Sequence, residues 1–239
     1  MLRAIVMALM LSSPAAHAGD AVRIATEAAF PPYNFLNDAG EVAGYDREVG
    51  DALCARAGLS CTWVVIGWDA LIPELMGGNV DVILAAMTIT PERRQVIDFT
   101  AAYVPPEPSA YIARDAGADI LGGVVAAQAA TVHAQHVAGT GADLLEFPTT
   151  DDVLAAVLRG EADAGFADQR FLRDSAAASG GALVLVQDGV PVGEGFGIAL
   201  RKSDATLRAR LDAGLEAMKR DGSLNALLVQ WLGEDAPRF

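Results

Sequence analysis

The chain has 239 residues, 52% of them hydrophobic, and a formal net charge of −14 from 17 Lys and Arg against 31 Asp and Glu. That field makes nucleic acid and anionic membrane surfaces poor partners, and it suits either the steering of cationic ligands or the plain solubility of an exported protein. Beyond an N-terminal leader, about 220 residues remain, enough for one large domain or two lobes.

Residues 1–18 read as that leader. Arg3 is followed by an apolar run over 4–11, a Ser-Ser-Pro break and a small-x-small end at Ala16, His17 and Ala18, with cleavage before Gly19. The run is too short to span a bilayer, and no later run reaches that length. Loss of Arg3 makes the chain one unit more negative. A lipid anchor would need a cysteine just after the cut, and position 19 is Gly. The expectation is a soluble periplasmic protein.

The first block alternates: strand 22–26, helix 47–57, strand 61–66, helix 68–76, strand 80–85. Such alternation predicts a mostly parallel sheet with helices on its faces, and ligands then sit beyond the carboxyl ends of the strands. Three stretches fall there: Glu27 to Phe30, Trp68, and Thr88 to Arg93. Residues 104–108, Val-Pro-Pro-Glu-Pro, cannot be helix or central strand and read as a linker. After strand 110–114 a second block follows: strand 124–127, helix 131–137, strand 143–147, helix 151–158, strand 162–167, helix 169–178 and strand 182–187. The glycine cluster at 193–197 breaks the pattern before strand 198–200 and helices 204–220 and 223–231. Its spacing is not that of a dinucleotide fingerprint. Two chain crossings imply a hinge, with lobe 1 formed by 19–108 and 194–239 and lobe 2 by 109–193.

The stretch from Ala85 to Arg94 joins a buried strand to a polar turn that ends in two guanidinium groups. Thr90 is a helix cap with Pro91 at the first helical position. Open N–H groups there, with the fork of Arg93, suit a carboxylate. Alternatively, Thr90 caps a surface turn and the arginines pair with Glu92 or Asp98. Asp46 reads first as the cap of the helix it precedes and second as support for a pocket floor. Cys54 and Cys61, separated by a helix end, a stop at Gly58 and a strand start, form a disulfide in an oxidising compartment or stay as two buried thiols. His133 and His136 lie one helical turn apart without a third ligand and read as exposed helix residues rather than a metal site.

Several stretches together resemble a family: IATEAAFPPYNF from Ile24 to Phe35, Gly44-Tyr45-Asp46, WDALIP from Trp68 to Pro73, residues 81–100, and ADAGFAD from Ala162 to Asp168. They are similar to the extracellular solute-binding proteins of polar amino-acid uptake systems, the periplasmic components of ABC transporters for lysine/arginine/ornithine, histidine, glutamine and opines. The resemblance runs over the whole exported chain, in order. It implies a two-lobed α/β periplasmic-binding-protein fold of type II, each lobe a mostly parallel sheet flanked by helices, with a two-stranded hinge. It also implies a monomer that hands its ligand to an inner-membrane ABC permease, with no cofactor, metal or catalytic residue.

Carried over position by position, the resemblance assigns Arg93 to the ligand α-carboxylate and Asp168 to the α-ammonium. Thr88, with Ala86 and Met87 before it, meets ligand main-chain atoms, and Thr131, after Ala130, offers a helix-start hydroxyl and N–H. Phe30 and Trp68 match the aromatics around the ligand side chain. Glu27 sits where binders of basic ligands carry an acid, or else caps the Pro31-Pro32 loop. Cys54 and Cys61 match a disulfide of the basic-amino-acid and opine branches. Departures are Gln128-Ala129-Ala130-Thr131, which loses a glycine and a hydroxyl, the Ala85-Ala86 pair in place of serines, and the short glycine-rich segment 116–123. A cyclohexadienyl dehydratase on the same fold and a ligand-sensing subunit are the competing readings. The dehydratase would need a separate carboxyl acid in the cleft, and both candidate acids already have binding roles.

Overall fold

The structure is a computed structural model describing residues 20–239, so the leader read at 1–18 lies outside the described residues. Strand β1 (Asp20–Thr26) leads into a small antiparallel sheet of β2 (Ala29–Phe30), β3 (Asn34–Leu36) and β4 (Val42–Ala43). Helix α1 (Tyr45–Ala57), strand β5 (Leu59–Val65), a 3-10 turn at Trp68–Ala70 and helix α2 (Leu71–Met76) follow. Strand β6 (Val82–Ile83), helix α3 (Pro91–Val96) and strand β7 (Asp98–Phe99) complete the first run.

The second run is β8 (Ser109–Ala113), β9 (Val124–Gln128), α4 (Val132–Ala138), β10 (Asp143–Phe147), α5 (Thr150–Arg159), β11 (Ala164–Asp168), α6 (Gln169–Ala178) and β12 (Val184–Val190). Strand β13 (Ala199–Leu200) and helices α7 (Ala205–Arg220) and α8 (Ser223–Leu232) close the chain.

Two five-stranded sheets result, ordered β5-β1-β6-β13-β7 and β10-β9-β11-β8-β12. In the first, β13 runs antiparallel to both its neighbours and the other strands share one direction. In the second, β8 is the reversed strand. The mostly parallel expectation holds, and the two exceptions have one cause. Each is the first strand after a crossing between the sheets, and a strand entered from the carboxyl edge of its neighbours must run against them.

The crossings lie side by side. Phe196 bridges both Thr88 and Val104, with Phe196 N donating to Val104 O at 3.1 Å and Tyr103 N to Phe196 O at 2.9 Å. Gly195, at φ 92°, passes so close to the Val104 carbonyl that a Cβ would collide with it. Beside this hinge, Glu107 accepts from Tyr33 OH at 2.7 Å and from Arg170 Nε and Nη2 at 3.0 and 2.9 Å. Arg170 Nη1 also donates to Leu232 O at 2.9 Å, so a residue of α6 is tied to the linker and to α8. One apolar cluster continues across the hinge, where Phe30 stacks on Phe171 and Tyr33 meets Phe196 edge to face.

Three expectations need correction. The third strand, expected over 80–85, pairs as a strand only at Val82–Ile83, although the run stays buried to Thr90. The chain turns out of the ladder at Ala86, whose φ is +48°, and delivers its N–H to Asp46 Oδ2 at 2.9 Å.

Asp46 is therefore not the cap of α1. Gly44 holds that position, and the Asp46 carboxylate, fully buried, accepts from Asn34 Nδ2, Ala86 N and Tyr103 OH at 2.8–2.9 Å. It supports the pocket floor.

His133 is not exposed either. The face of α4 carrying Val132, His133, Ala134 and Val137 is buried, and His133 meets Phe166 edge to face while the half-buried His136 stacks on it. Cys54 and Cys61 are bonded, linking the end of α1 to the start of β5 across the left-handed stop at Gly58.

Candidate functional site

Strand ends from both sheets meet in one cleft. From the first sheet come Glu27 after β1, Trp68 after β5 and the turn from Thr88 to Arg93 after β6. From the second come Gln128 at the end of β9, Thr150 after β10 and Asp168 at the end of β11. The residues predicted from sequence that line this cleft are Glu27, Phe30, Trp68, Ala86, Thr88, Arg93, Thr131 and Asp168. The space between them is about 370 Å³ with its open mouth included.

Two predicted residues do not line it. Met87 is buried in the core between the sheet and α2, and Ala130 is exposed beside the cleft without lining it. Their neighbours show why the backbone matters here. Ala28, Ala86 and Ala130 all have φ between 48° and 58°, and all three border the cleft residues. Backbone held in this sparsely populated region costs about 1 kcal/mol or more, and such strain gathers at ligand sites. At Ala130 the turn leaves the carbonyl accepting from Trp68 Nε1 at 3.3 Å and from Arg93 Nη2 at 3.4 Å, so one second-sheet oxygen holds two first-sheet donors.

Arg93 is placed by α3. Thr90 caps that helix, accepting from Arg93 N at 3.2 Å, and Pro91 follows at its first position, as the sequence predicted. The guanidinium donates to Thr88 O at 2.8 Å and lies over the Trp68 ring, 5.4 Å from its centre. Burial brings its pKa down to about 10, while Asp168 nearby opposes the shift. Arg94 faces away, paired with Glu194 at 3.7 Å.

Asp168 closes β11 opposite Ser109 of β8. Burial, reinforced by the charge of Glu107, pushes its carboxyl up to about 7, and Arg93 opposes the rise. His133 Nε2 is 2.9 Å from Ser109 Oγ and 3.8 Å from Asp168 Oδ2. Burial holds His133 down to about 3, so it is neutral and this contact is not an ion pair. Thr131 caps α4, accepting from Ala134 N at 3.1 Å, and its hydroxyl donates to Gln128 O.

At the far end, Glu27 Oε1 accepts from Gln128 Nε2 at 2.6 Å. Burial raises the Glu27 carboxyl to about 7; the bond from Gln128 opposes this, and the charges of Asp151 and Asp69 add to it. No hydrogen bond joins its side chain to the Pro31-Pro32 loop among the described residues. Phe30 serves packing and cleft at once, stacked on Tyr33 and Phe171 while lining the space.

Sequence reasoning missed Ala85, Gln128, Val132, His133 and Thr150 as cleft residues. Gln128 had a usable signal, since it ends a second-lobe strand as Glu27 follows a first-lobe one. His133 had none, because nothing local tells which face of α4 is covered.

The arrangement offers one half-buried guanidinium and two half-buried carboxyls on opposite walls of a cleft between hinged sheets. Residues 22–234 match the family model of bacterial extracellular solute-binding proteins, family 3. The L-arginine-binding protein of Pseudomonas aeruginosa is 32% identical over 242 residues, covering 95% of this chain and 93% of that protein. A periplasmic His/Glu/Gln/Arg/opine family-binding protein from Silicibacter pomeroyi, solved in complex with lysine, is 54% identical, covers 91% of this chain and 100% of its own, and superposes with a TM-score of 0.89. The ancestral amino acid-binding protein AncCDT-1, a precursor of cyclohexadienyl dehydratase, is 27% identical with a TM-score of 0.78, covering 89% and 95%. With its two hinged sheets and a family match over nearly all the described residues, this chain belongs to the bacterial extracellular solute-binding proteins, family 3.

Proposed function

We propose that this protein captures an amino acid with a cationic side chain between its lobes and delivers it to the permease of an ABC transporter, without transforming it. One observation carries the reading: the cleft brings one cation, Arg93, together with two acids, Asp168 and Glu27, all three half-buried and lining the same space. A basic amino acid is the inverse, one carboxylate and two cations. Desolvating any of those charges unpaired would cost several kcal/mol, so the match selects for all three at once. Arg93 takes the carboxylate with the N–H groups around Thr88 and the start of α4. Asp168 takes the α-ammonium. Glu27 takes the side-chain cation.

The lysine and arginine ligands of the relatives above support this choice, and their description as binding proteins supports a non-enzymatic role. Residues 19–108 with 194–239 act as one moving lobe and 109–193 as the other, because each sheet draws its strands from one of these sets. The protein works as a monomer in the periplasm after loss of residues 1–18.

The test is titration calorimetry of arginine, an octopine-like compound, glutamine and leucine into wild type and Glu27→Gln. Wild type should bind basic ligands tightest, and the variant should lose tenfold to a few hundredfold for them, the scale of one buried charge-assisted contact. Tighter binding of leucine or glutamine by wild type, or an unchanged ranking in the variant, would remove Glu27 as the side-chain reader.

A further inference from the structure

Outside the cleft, one ion pair stands where the two lobes and the hinge meet. Arg170, in the first turn of α6, turns the Nε and Nη2 edge of its guanidinium to Glu107 Oε1 at 3.0 and 2.9 Å, and both side chains are only 13% exposed. Glu107 belongs to the crossing segment 104–108, and its other oxygen accepts from the buried Tyr33 hydroxyl at 2.7 Å. The remaining corner of the fork, Nη1, donates to Leu232 O at 2.9 Å at the end of α8 and lies 3.5 Å from Asp235 Oδ1. The last turn of α8 has no basic residue of its own, although the free carbonyls of a helix end favour a cation. That cation arrives from the other lobe.

The two arms of Arg170 answer differently to a rotation of the lobes. Glu107 lies within one of the two crossings, and Gln169 N donates to Pro108 O at 3.0 Å, so the start of α6 stays beside Glu107 as the lobes turn about the hinge. Leu232 lies off that axis, and a hydrogen bond of 2.9 Å is gone by about 3.6 Å. The contact is on the cleft side, since Phe171, next to Arg170, stacks at 5.1 Å on Phe30, which lines the cleft. Here the lobes are shut, with Gln128 Nε2 on Glu27 Oε1 and the donors of Trp68 and Arg93 on Ala130 O. Opening on that side draws α8 away from α6 and breaks the Leu232 arm, while Glu107 keeps the guanidinium aimed for its return.

We infer that Arg170 is a latch, pivoted on Glu107, that fastens the end of α8 to the second lobe only when the cleft is closed, and so sets the affinity for every ligand without lining the cleft. The inference rests on the two-lobed capture reading above and adds the residue that weights its closed form. A factor in the closing equilibrium passes into every affinity, up to its full size, because the closed form is the one that grips ligand from both sides.

The test compares wild type with Arg170→Lys and with the double variant Glu107→Gln/Arg170→Gln, a melting curve confirming that each is folded. The first keeps a charge beside Glu107, and with it any influence of that pair on Asp168, but a single point charge does not serve both arms. The second removes both arms without stranding a carboxylate. Stopped-flow fluorescence with lysine, arginine and glutamine as probes should show dissociation about tenfold faster in both variants for each ligand that wild type binds, the scale of one hydrogen bond to a charged group. Association rates and the order of the ligands should stay as they are. Unchanged dissociation in either folded variant, even with a lower melting temperature, marks a merely structural pair and overturns the inference. So does a factor that differs between ligands, or tighter binding in the variants. If none of the three probes binds wild type, the capture reading fails and solution X-ray scattering decides the latch alone: each variant should have a larger radius of gyration than wild type, and equal radii overturn it.

Discussion

Arg93 and Asp46 show how two charged side chains in one small region do different work. Arg93 is held by the Thr88 and Ala130 carbonyls and covers Trp68, so among the described residues its position is set without a counter-ion in hydrogen-bond contact. Arg93→Lys keeps the charge but loses the fork. In a closed cleft that should cost roughly 2–4 kcal/mol of binding while leaving the melting curve near wild type. Calorimetry on the variant reads the loss, and near-native affinity would take Arg93 out of the site. Asp46 lies beneath the cleft and touches no ligand space, yet three buried donors depend on it. Asp46→Ala should lower unfolding stability by about 2 kcal/mol, because Asn34 Nδ2 and Tyr103 OH lose their buried acceptor and Ala86 N–H keeps only the Tyr103 hydroxyl at 3.1 Å. A urea midpoint that stays within about 0.5 kcal/mol of wild type would show that the network relaxes around the loss.

At the scale of elements, the Cys54–Cys61 bond joins the end of α1 to the start of β5. The cleft lies at the other edge, beyond the carboxyl end of β5. A loop this short constrains the unfolded chain by about 2–3 kcal/mol in the chain-entropy model. Reduction should therefore lower the melting temperature by about 4–12 °C for a chain of this size and leave ligand affinity intact. Loss of binding in the reduced, still folded protein would show that the bond reaches the site. The elements the sequence revealed best were those with a long period and a clear stop, such as α1 before Gly58 and α6 after Asp168. The sheet of β2, β3 and β4 escaped because two- and three-residue strands carry no alternation. The end of β6 was misjudged because an unbroken apolar run does not show where the backbone turns, and at Ala86 the turn is made by an alanine at positive φ rather than by a glycine. Glu27, Trp68 and the turn from Thr88 to Arg93, after first-sheet strands, were legible from topology, whereas Asp168 came from the resemblance and Gln128 and Thr150, also at strand ends, were missed. Site residues brought in from a helix face, His133 above all, depended on which neighbours cover that face, and local sequence does not carry that.

For the whole molecule, the carboxyls of Glu27, Asp46 and Asp168 are each raised to about 7, first by burial. In the unfolded chain they titrate near 4, so folding takes up protons between these values. Their stabilising contribution is complete below about pH 4 and is lost as pH rises through about 7. Asp81 and Asp221, lowered to about 2 first by hydrogen bonds from Arg23 and Ser223 respectively, act oppositely and only below about pH 4. His133, held down to about 3 first by burial, also opposes them, gaining stability as pH rises from about 3 to 6.5, but it is one group against three. The ligand-free protein should thus melt at a lower temperature at pH 8 than at pH 5. A cationic ligand reverses the preference at Glu27 and Asp168 by favouring their ionised forms. Binding should release protons near neutral pH and weaken as pH falls below about 7. Calorimetry in buffers of different ionisation enthalpy measures this directly, and a binding enthalpy independent of buffer would contradict it.

The proposed charge match between the cleft and a basic amino acid is tested most directly by a thermal-shift panel on the purified protein at pH 7.5, with lysine, ornithine, arginine, glutamine, leucine and a prephenate-like acid. A ligand present at a hundred times its dissociation constant adds about 2.7 kcal/mol of stability. The basic amino acids should raise the melting temperature most, and leucine and the acid least. A larger shift from leucine, glutamine or the acid than from every basic ligand, or no shift from any basic ligand, would contradict the assignment.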